Sequence, residues 1–405
     1  MARLALILLT SLLIAAPAAA SMLPGFRIEK VAATEGFLTS IAFAPDGTLH
    51  YSVTTGEIYR LEGQRSVKVA KVNTAATGNA VQLGIAFRGD QIISHYVLPD
   101  FSADVIASVD PLDGKVTVIA NFPCDLGTNC STEHHGGNPV VGPDGSIWVA
   151  IGDYGIGIVA QDDGSPGGKI HRILPDGTAT IFAKGFRNPY DLAIHPDGDR
   201  LLVGDNGPEA EDEITIVRAG EHHGWPRTWG HRPPIDGMTP PAYIFPTTVA
   251  PTGVTLLRDF ANQSETGLLV AGFVTKALYF FPHLDAIGKP VVILENLAEL
   301  GGFNSLLEVV QARSGEVLFA TAGGIWRLIP PVKGDVNGDG AVTEEDLEVL
   351  AHELVDGDGD SVFAVHEGTL ASSWAADSNG DGIVDSRDLV SWVAAWKVRT
   401  RAVTR

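Results

Sequence analysis

Two stretches, GDVNGDGAVTEED at 334–346 and ADSNGDGIVDSRD at 376–388, set oxygen-bearing side chains at the same offsets. Counting Asp335 as position one puts Asn337 at three, Asp339 at five, Gly340 at six, the Ala341 carbonyl at seven and Asp346 at twelve. The second copy sets Asp377, Asn379, Asp381, Gly382, Ile383 and Asp388 at those offsets, with Asp385 at nine. A hard divalent cation takes several oxygens from one compact loop, and these are EF-hand offsets with Asp instead of Glu at the last place. The competing reading is a solvated acidic turn. Two full matches, each running into an apolar helical stripe, favour calcium.

A second group of residues could move a proton. EHHGGNPVVGPDGSIWVAIGD (133–153) pairs two histidines beside two glycines, GFRNPYDLAIHPDG (185–198) puts Arg187-Asn188 before a proline, and GDNGPEAEDEITIVRAGEHHGWP (204–226) ends a strand in an acidic loop. Imidazole is the side chain that exchanges a proton near neutral pH. Each of these residues also has a structural reading: His135 as a turn histidine, His222 and His223 as packing residues, Asp212-Glu213 as a loop anchor. The two cysteines, Cys124 and Cys130, lie in CDLGTNC just before His134. In an oxidising compartment they close a small disulfide loop, and no further soft ligand at suitable spacing makes them a metal site.

The elements that must position these residues read as strands. From about residue 26 to 330, short β-branched or aromatic runs alternate with Gly/Asp/Pro turns, as in FAPDGTLHYSV (43–53), VGPDGSIWVAIGD (141–153), ILPDGTATIF (173–182) and IHPDGDRLLVGD (194–205). Pro fixes φ, Asp caps the turn and Gly takes φ > 0, so each phrase is a hairpin signal. Asp144 and Asp197 lie 53 residues apart, and Asp46 and Asp144 lie 98 apart, about two such steps. A period near ~50 residues with several strands per unit points to a six-bladed β-propeller rather than a sandwich array or β-helix. After Pro330-Pro331 the composition turns acidic and the spacing helical: Leu347, Leu350, Ala351, Leu354, and again Leu389, Trp392, Val393, Trp396. The expected organisation is an apolar leader at 1–20, a propeller at 21–330, a small helical domain with two calcium loops at 331–398, and a frayed basic tail at 399–405.

Net charge of −21 argues against nucleic acid or an anionic membrane as partner and makes cations the natural counterpart. MARLALILLTSLLIAAPAAAS has the basic start, short apolar run and small residues at Ala18 and Ala20 of a secretory signal peptide. The expectation is an exported protein with no membrane span after cleavage.

The repeated acidic loops, each followed by a helix without an entering helix, resemble the type I dockerin module over roughly 334–397. The fold class is then an all-β six-bladed propeller followed by a small α-helical, EF-hand-like dockerin domain. The resemblance implies a cohesin-type protein partner, read near Glu344-Glu345 and Ser386-Arg387, and attachment to an enzyme acting on polysaccharides. A long insertion separates the copies; within it Asp356, Asp358, Asp360 and Glu367 repeat the ligand offsets with Ser361 in place of the turn glycine.

The propeller motifs, with the GFLTSIAFAPDGTL opening and GGKIHRILPDG, together resemble the glucose/sorbosone dehydrogenase family, which uses pyrroloquinoline quinone. That resemblance implies His134 as the base taking the proton of a sugar's anomeric hydroxyl and Asp153 as its positioner. It implies calcium held by the Gly207 and Pro208 carbonyls, and Arg187, Asn188 and Lys276 facing the cofactor. Ser305 and Leu307 stand where the family carries arginines, and Asn79 where it carries Gln or Glu. Two other readings stay open: a non-catalytic propeller that binds a glycan or protein, and a hydrolase or lactonase with calcium in the central channel.

Overall fold

The Pro-Asp-Gly phrases fold as their chemistry requires. Asp46, Asp144, Asp176 and Asp197 each accept the backbone N–H two residues on, at 2.8, 2.9, 2.9 and 3.0 Å. The glycines that follow take φ of +87°, +79°, +88° and +80°, a region closed to most side chains. In the computed structural model, which describes residues 21–78, 81–124, 131–262, 265–296, 305–354, 360–361 and 373–403, these turns join antiparallel strands into six principal sheets.

Each sheet is one blade. The innermost strands are Leu38–Phe43, Gln82–Arg88, Val140–Val141, Pro189–Ile194, Pro251–Leu257 and Leu306–Gln311, which neighbour one another around a central channel. Between blades lie clusters of buried Ile, Leu, Val and Phe such as Ile93, Ile147 and Ile151, so burial, not helix-type periodicity, sets the strand pattern. The ring closes through the N-terminal segment. Arg27–Ala33 pairs antiparallel with Gly324–Ile329 and forms the outer strand of blade six, while Ser21–Met22 adds a fifth strand to blade five beside Val291–Glu295.

Beyond the propeller come helices α1 (Glu344–Glu353), α2 (Ser373–Ala376) and α3 (Ser386–Val403). Thr343 caps α1 by accepting Glu345 N–H at 3.2 Å, and the Asp346 carboxylate returns to Thr343 N–H at 2.7 Å. The apolar faces of this segment do not form a separate core. Leu350, Trp374, Val384 and Trp392 share one buried cluster with Phe26, Phe260, Phe280 and Leu294 of the propeller. The segment expected to fray is helical as far as Val403. Among the described residues no helix is long and apolar enough to cross a membrane. The leader at 1–20, Asn79, Cys130 and most of the insertion between the acidic loops lie outside the described residues.

Candidate active site and calcium loops

In each blade the segment entering the inner strand and the turn between the second and third strands emerge at the same end of the ring. His134 enters blade three and Asp153 follows its second strand, Ile147–Ile151; Arg187-Asn188 enters blade four and Gly207-Pro208 follows Arg200–Asp205. Lys276 follows Gly267–Gly272 in blade five, and Ser305 enters blade six. The candidates therefore gather at one rim.

His134 and Asp153 meet there. His134 Nδ1 lies 2.6 Å from Asp153 Oδ1, and since a carboxylate only accepts, Nδ1 carries the hydrogen. Asp153 is 1% exposed and also accepts Gly155 N–H at 2.8 Å and the Trp225 indole N–H at 2.7 Å. The opposite ring nitrogen, Nε2, has no hydrogen-bond partner among the described residues, and the His134 side chain is 16% exposed. With Nδ1 donating to Asp153, Nε2 is the nitrogen left to exchange a proton, and the carboxylate is placed to stabilise the protonated form.

The backbone under His134 is strained and tightly enclosed. His134 sits at φ +52°. A Cβ on Gly152 would stand 2.3 Å from the His134 carbonyl and 2.8 Å from Asn188 Oδ1, so only glycine fits. Asn188 Oδ1 accepts Gly136 N–H at 3.2 Å, which turns its carboxamide to bracing the His-Gly turn. Beneath lies a buried set whose members come from separate stretches of the chain. His135 Nδ1 lies 3.0 Å from Asp104 Oδ1, and His95 Nε2 lies 3.3 Å from the same atom. Burial alone would raise the Asp104 carboxyl, but the charge and hydrogen bonds of His135 and His95 hold it well below the usual range. His135 moves the other way: burial opposes its charge, and Asp104 still lifts it above the ordinary histidine value. The second histidine is thus an anchor for the first.

Arg187 and Asn188 are held from below by one carboxylate. Asp205 accepts both of their backbone N–H groups, at 3.0 and 2.7 Å, and burial, with Glu213 near, pushes its own pKa well up. The Arg187 guanidinium gives one bond to Asn206 O at 2.9 Å and lies 5.8 Å from the centre of the Trp225 ring, leaving further N–H groups for an anion. Asp212 anchors the next loop by accepting Gly207, Val249 and Ala250 N–H at 2.9, 2.6 and 2.7 Å. Among the described residues the Gly207 and Pro208 carbonyls have no hydrogen-bond partner, which suits a cation. Lys276 is half-buried at φ +54° on the same rim. Ser305 is buried, and Leu307 packs with Leu38, Tyr51 and Leu318, so neither adds positive charge. His223 stacks on Phe186 at 4.7 Å and His222 bonds Gln161 at 3.0 Å, both as packing residues. Trp225, which the sequence offered only as part of GWP, is the residue missed.

Deeper in the channel Asn138 and Ser40 both donate to Glu308, and burial pushes the Asp191 carboxyl up to about 7 with Glu308 raised beside it. From this pair toward the opposite rim runs a cavity of about 850 Å³, lined in part by the Asp46 turn and Arg313; His134, Asp153 and Arg187 do not line it.

The acidic loops turn as the offsets require. Asp335 Oδ2 accepts Gly340 N–H at 3.0 Å, while its Oδ1 is buried with no partner, an orphan that a cation would satisfy. Asn337 and Asp339 each accept the N–H two residues on, and Asp346 accepts Val336 and Asn337 N–H at 2.7 and 3.0 Å. In the second loop the fully buried Asp377 holds Gly380 and Gly382 N–H at 2.8 and 2.9 Å. Asp388 holds Asn379 and Asp385 N–H at 3.0 and 2.8 Å, and burial, with Asp377 near, raises its pKa. Ile383 N–H goes to Asp381 at 3.1 Å, which leaves its carbonyl at position seven. Asp385 and Asp381 are both paired to Arg387, at 2.6 and 2.8 Å. Among the described residues no three acidic, histidine or cysteine side chains converge as a closed metal cluster, here or in the channel. The loops fit calcium only with amide and backbone oxygens counted in. Cys124 is disulfide-bonded.

Residues 125–326 match the family described as Glucose / Sorbosone dehydrogenase, and residues 333–391 match the Dockerin type I domain. Quinoprotein glucose dehydrogenase B of Acinetobacter calcoaceticus is 27% identical over 243 residues, 48% of this chain and 51% of that protein. Aldose sugar dehydrogenase YliI of Escherichia coli (strain K12) is 33% identical over 112 residues, 24% of this chain and 30% of that protein. The chain thus spans about half the length of the first relative and under a third of the second. Among solved structures, the PQQ-bound aldose sugar dehydrogenase of Streptomyces coelicolor superposes with TM-score 0.64 at 21% identity, covering 76% of this chain and 99% of that one. The apo soluble aldose sugar dehydrogenase of Escherichia coli gives 0.66 at 18%, covering 75% and 99%. At these identities the likeness is one of fold.

Proposed function

Since residues 125–326 belong to the glucose/sorbosone dehydrogenase family, we propose that the propeller oxidises aldose sugars or oligosaccharides with pyrroloquinoline quinone and calcium. The observation that carries this reading is the 2.6 Å pair between His134 Nδ1 and Asp153, with Nε2 left open at the rim. His134 Nε2 takes the proton of the anomeric hydroxyl. Asp153 keeps Nδ1–H in place and offsets the charge that develops on the ring, and Trp225 holds Asp153 still. The quinone, when bound, supplies the hydride acceptor. Arg187 and Lys276 would hold it as a polyanion, and the Gly207 and Pro208 carbonyls would hold the calcium. With no cation at Ser305 or Leu307, its affinity should be poorer than a full clamp would give.

The C-terminal segment binds calcium through Asp335, Asn337, Asp339, Ala341 and Asp346, and through Asp377, Asn379, Asp381, Ile383, Asp385 and Asp388. In this reading the protein is exported, Cys124 pairs with Cys130, and the exposed Glu344, Glu345, Ser386 and Arg387 face a cohesin-type partner. The apolar leader and the dockerin match support that setting.

Equilibrium titration of apo-protein with quinone in calcium buffer, followed by dye reduction with aldoses, tests the dehydrogenase reading. His134→Ala should lose about 10²–10⁴-fold in rate with cofactor affinity kept. Arg187→Ala should weaken the cofactor by roughly 1.5–3 kcal/mol. Absence of binding at high micromolar quinone would replace this reading with the non-catalytic propeller, which the burial of Leu307 favours.

A further inference from the structure

Trp374, in α2, is 2% exposed and is enclosed mainly by the propeller. Its ring meets Phe26 edge-on at 5.4 Å and 79°, Phe280 at 5.6 Å and 62°, and Phe260 at 6.3 Å and 73°. Phe26 lies between Ser21–Met22, which lengthens blade five, and Arg27–Ala33, which closes blade six. Its N–H bonds Leu23 O at 3.1 Å, and Leu23 N–H bonds Ile293 O of blade five at 2.9 Å. The indole therefore sits on the seam where the ring is joined.

The same short segment carries the starts of both acidic loops. Asp377 follows Trp374 by three residues, and the Ala375 carbonyl accepts Gly334 N–H at 2.8 Å, immediately before Asp335. Trp392 of α3 closes the arrangement, its indole N–H donating to Gly334 O at 2.9 Å. A cation that orders either loop thus fixes the backbone from which Trp374 projects. Glu344, Glu345, Ser386 and Arg387 stay exposed, so the docked state leaves these side chains available to another protein.

From this we propose that the C-terminal module is a calcium-dependent latch on the propeller's closing seam, with Trp374 as its bolt. The proposal rests on the reading that the acidic loops bind calcium. A ligand bound only by the ordered module stabilises whatever that order holds in place. Calcium then suppresses local opening of the strand Arg27–Ala33, which otherwise depends on its pairing with Gly324–Ile329.

The test is hydrogen exchange by mass spectrometry on the full chain in calcium and in chelator, with calorimetry of calcium binding on the same protein. Calcium should slow exchange across residues 27–33 by roughly tenfold or more. Asp335→Asn with Asp377→Asn should abolish that effect while leaving untouched any calcium held at the opposite side by Gly207 and Pro208. Trp374→Ala should still bind calcium but lose the protection at 27–33, and Trp374→Phe should keep part of it. Should Trp374→Ala fail to fold, the double Asp variant decides. Calcium that binds without changing exchange at 27–33 overturns the latch and leaves the calcium reading standing. If calorimetry detects no calcium binding to these loops, the calcium reading falls and the latch with it.

Discussion

The Trp225 indole donates to Asp153 across 72 residues of sequence, at 2.7 Å, and occupies the carboxylate oxygen that His134 does not use. Asp153 thereby has both oxygens fixed by blades three and four. Asp153→Asn should cost roughly 10²–10⁴ in kcat with little change in KM, because the amide has one acceptor oxygen for donors on both sides and no charge to stabilise the protonated ring. Trp225→Phe keeps most of the packing and frees one oxygen, so its loss should be smaller, about tenfold. Steady-state dye reduction of both variants checks the order. A Trp225→Phe enzyme slower than Asp153→Asn would refute the arrangement.

Asp104 with His135 and His95 predicts a stability window. The Asp104 pKa is depressed in the folded protein, so its contribution is present above the unfolded value of ~3.9 and is lost as pH falls through the folded one. The His135 pKa is raised, so its contribution is present below ~6.5 and is lost as pH rises through the folded value. The network should stabilise most between about pH 4 and 6.5. Asp104→Asn should destabilise by roughly 3–5 kcal/mol there, as removal of one buried partner does, and by less toward pH 9. Urea unfolding across pH measures it.

At the channel axis the sign is opposite to that of an ordinary carboxylate. Asp191 rises to about 7 and Glu308 rises beside it, chiefly through burial. Their protonated state favours the fold below ~4, and that advantage drains away as pH climbs toward and past 7. Glu308→Gln keeps the shape and removes one ionisable group. It should stabilise the protein by roughly 1–3 kcal/mol at pH 8 and by almost nothing at pH 4, read as a shift in urea midpoint at unchanged slope.

Gly152→Ala should separate packing from chemistry. The added methyl meets the His134 carbonyl and Asn188 Oδ1, so the turn carrying His134 must shift. Overpacking of this kind costs about 1–3 kcal/mol, and turnover should fall with it. Gly323→Ala, with open space around the new atom and no positive φ, should stay within about 0.5 kcal/mol of the parent.

Local chemistry carried the propeller in the sequence. Pro-Asp-Gly recurs because each hairpin needs a capped turn and a residue at φ > 0, and Asp144 and Asp197 mark equivalent turns of adjacent blades. Partners far apart along the chain left no local trace. Nothing in QIISHYV or ADVIASV says that His95 of blade two will reach Asp104 and His135, or that Trp225 will bond Asp153. The acidic offsets were legible as loops, yet the apolar stripes behind them said only that something would be buried. That Trp374 would be enclosed by propeller phenylalanines, and not by its own helices, is a matter of which surface lies nearest.

The strand Arg27–Ala33 finds its partner Gly324–Ile329 only after nearly the whole propeller has been made. At a synthesis rate of about 5–20 residues per second, that edge waits some fifteen seconds to a minute without a neighbour. An unpaired strand is a template for pairing with another chain. This one carries Arg27, Glu29 and Lys30 in its first four residues, charges that a foreign edge meets as repulsion and lost hydration, while its final neighbour offers Arg327 to Glu29 at 2.7 Å. The strand that locks the ring is written to be a poor partner for anything else while it waits.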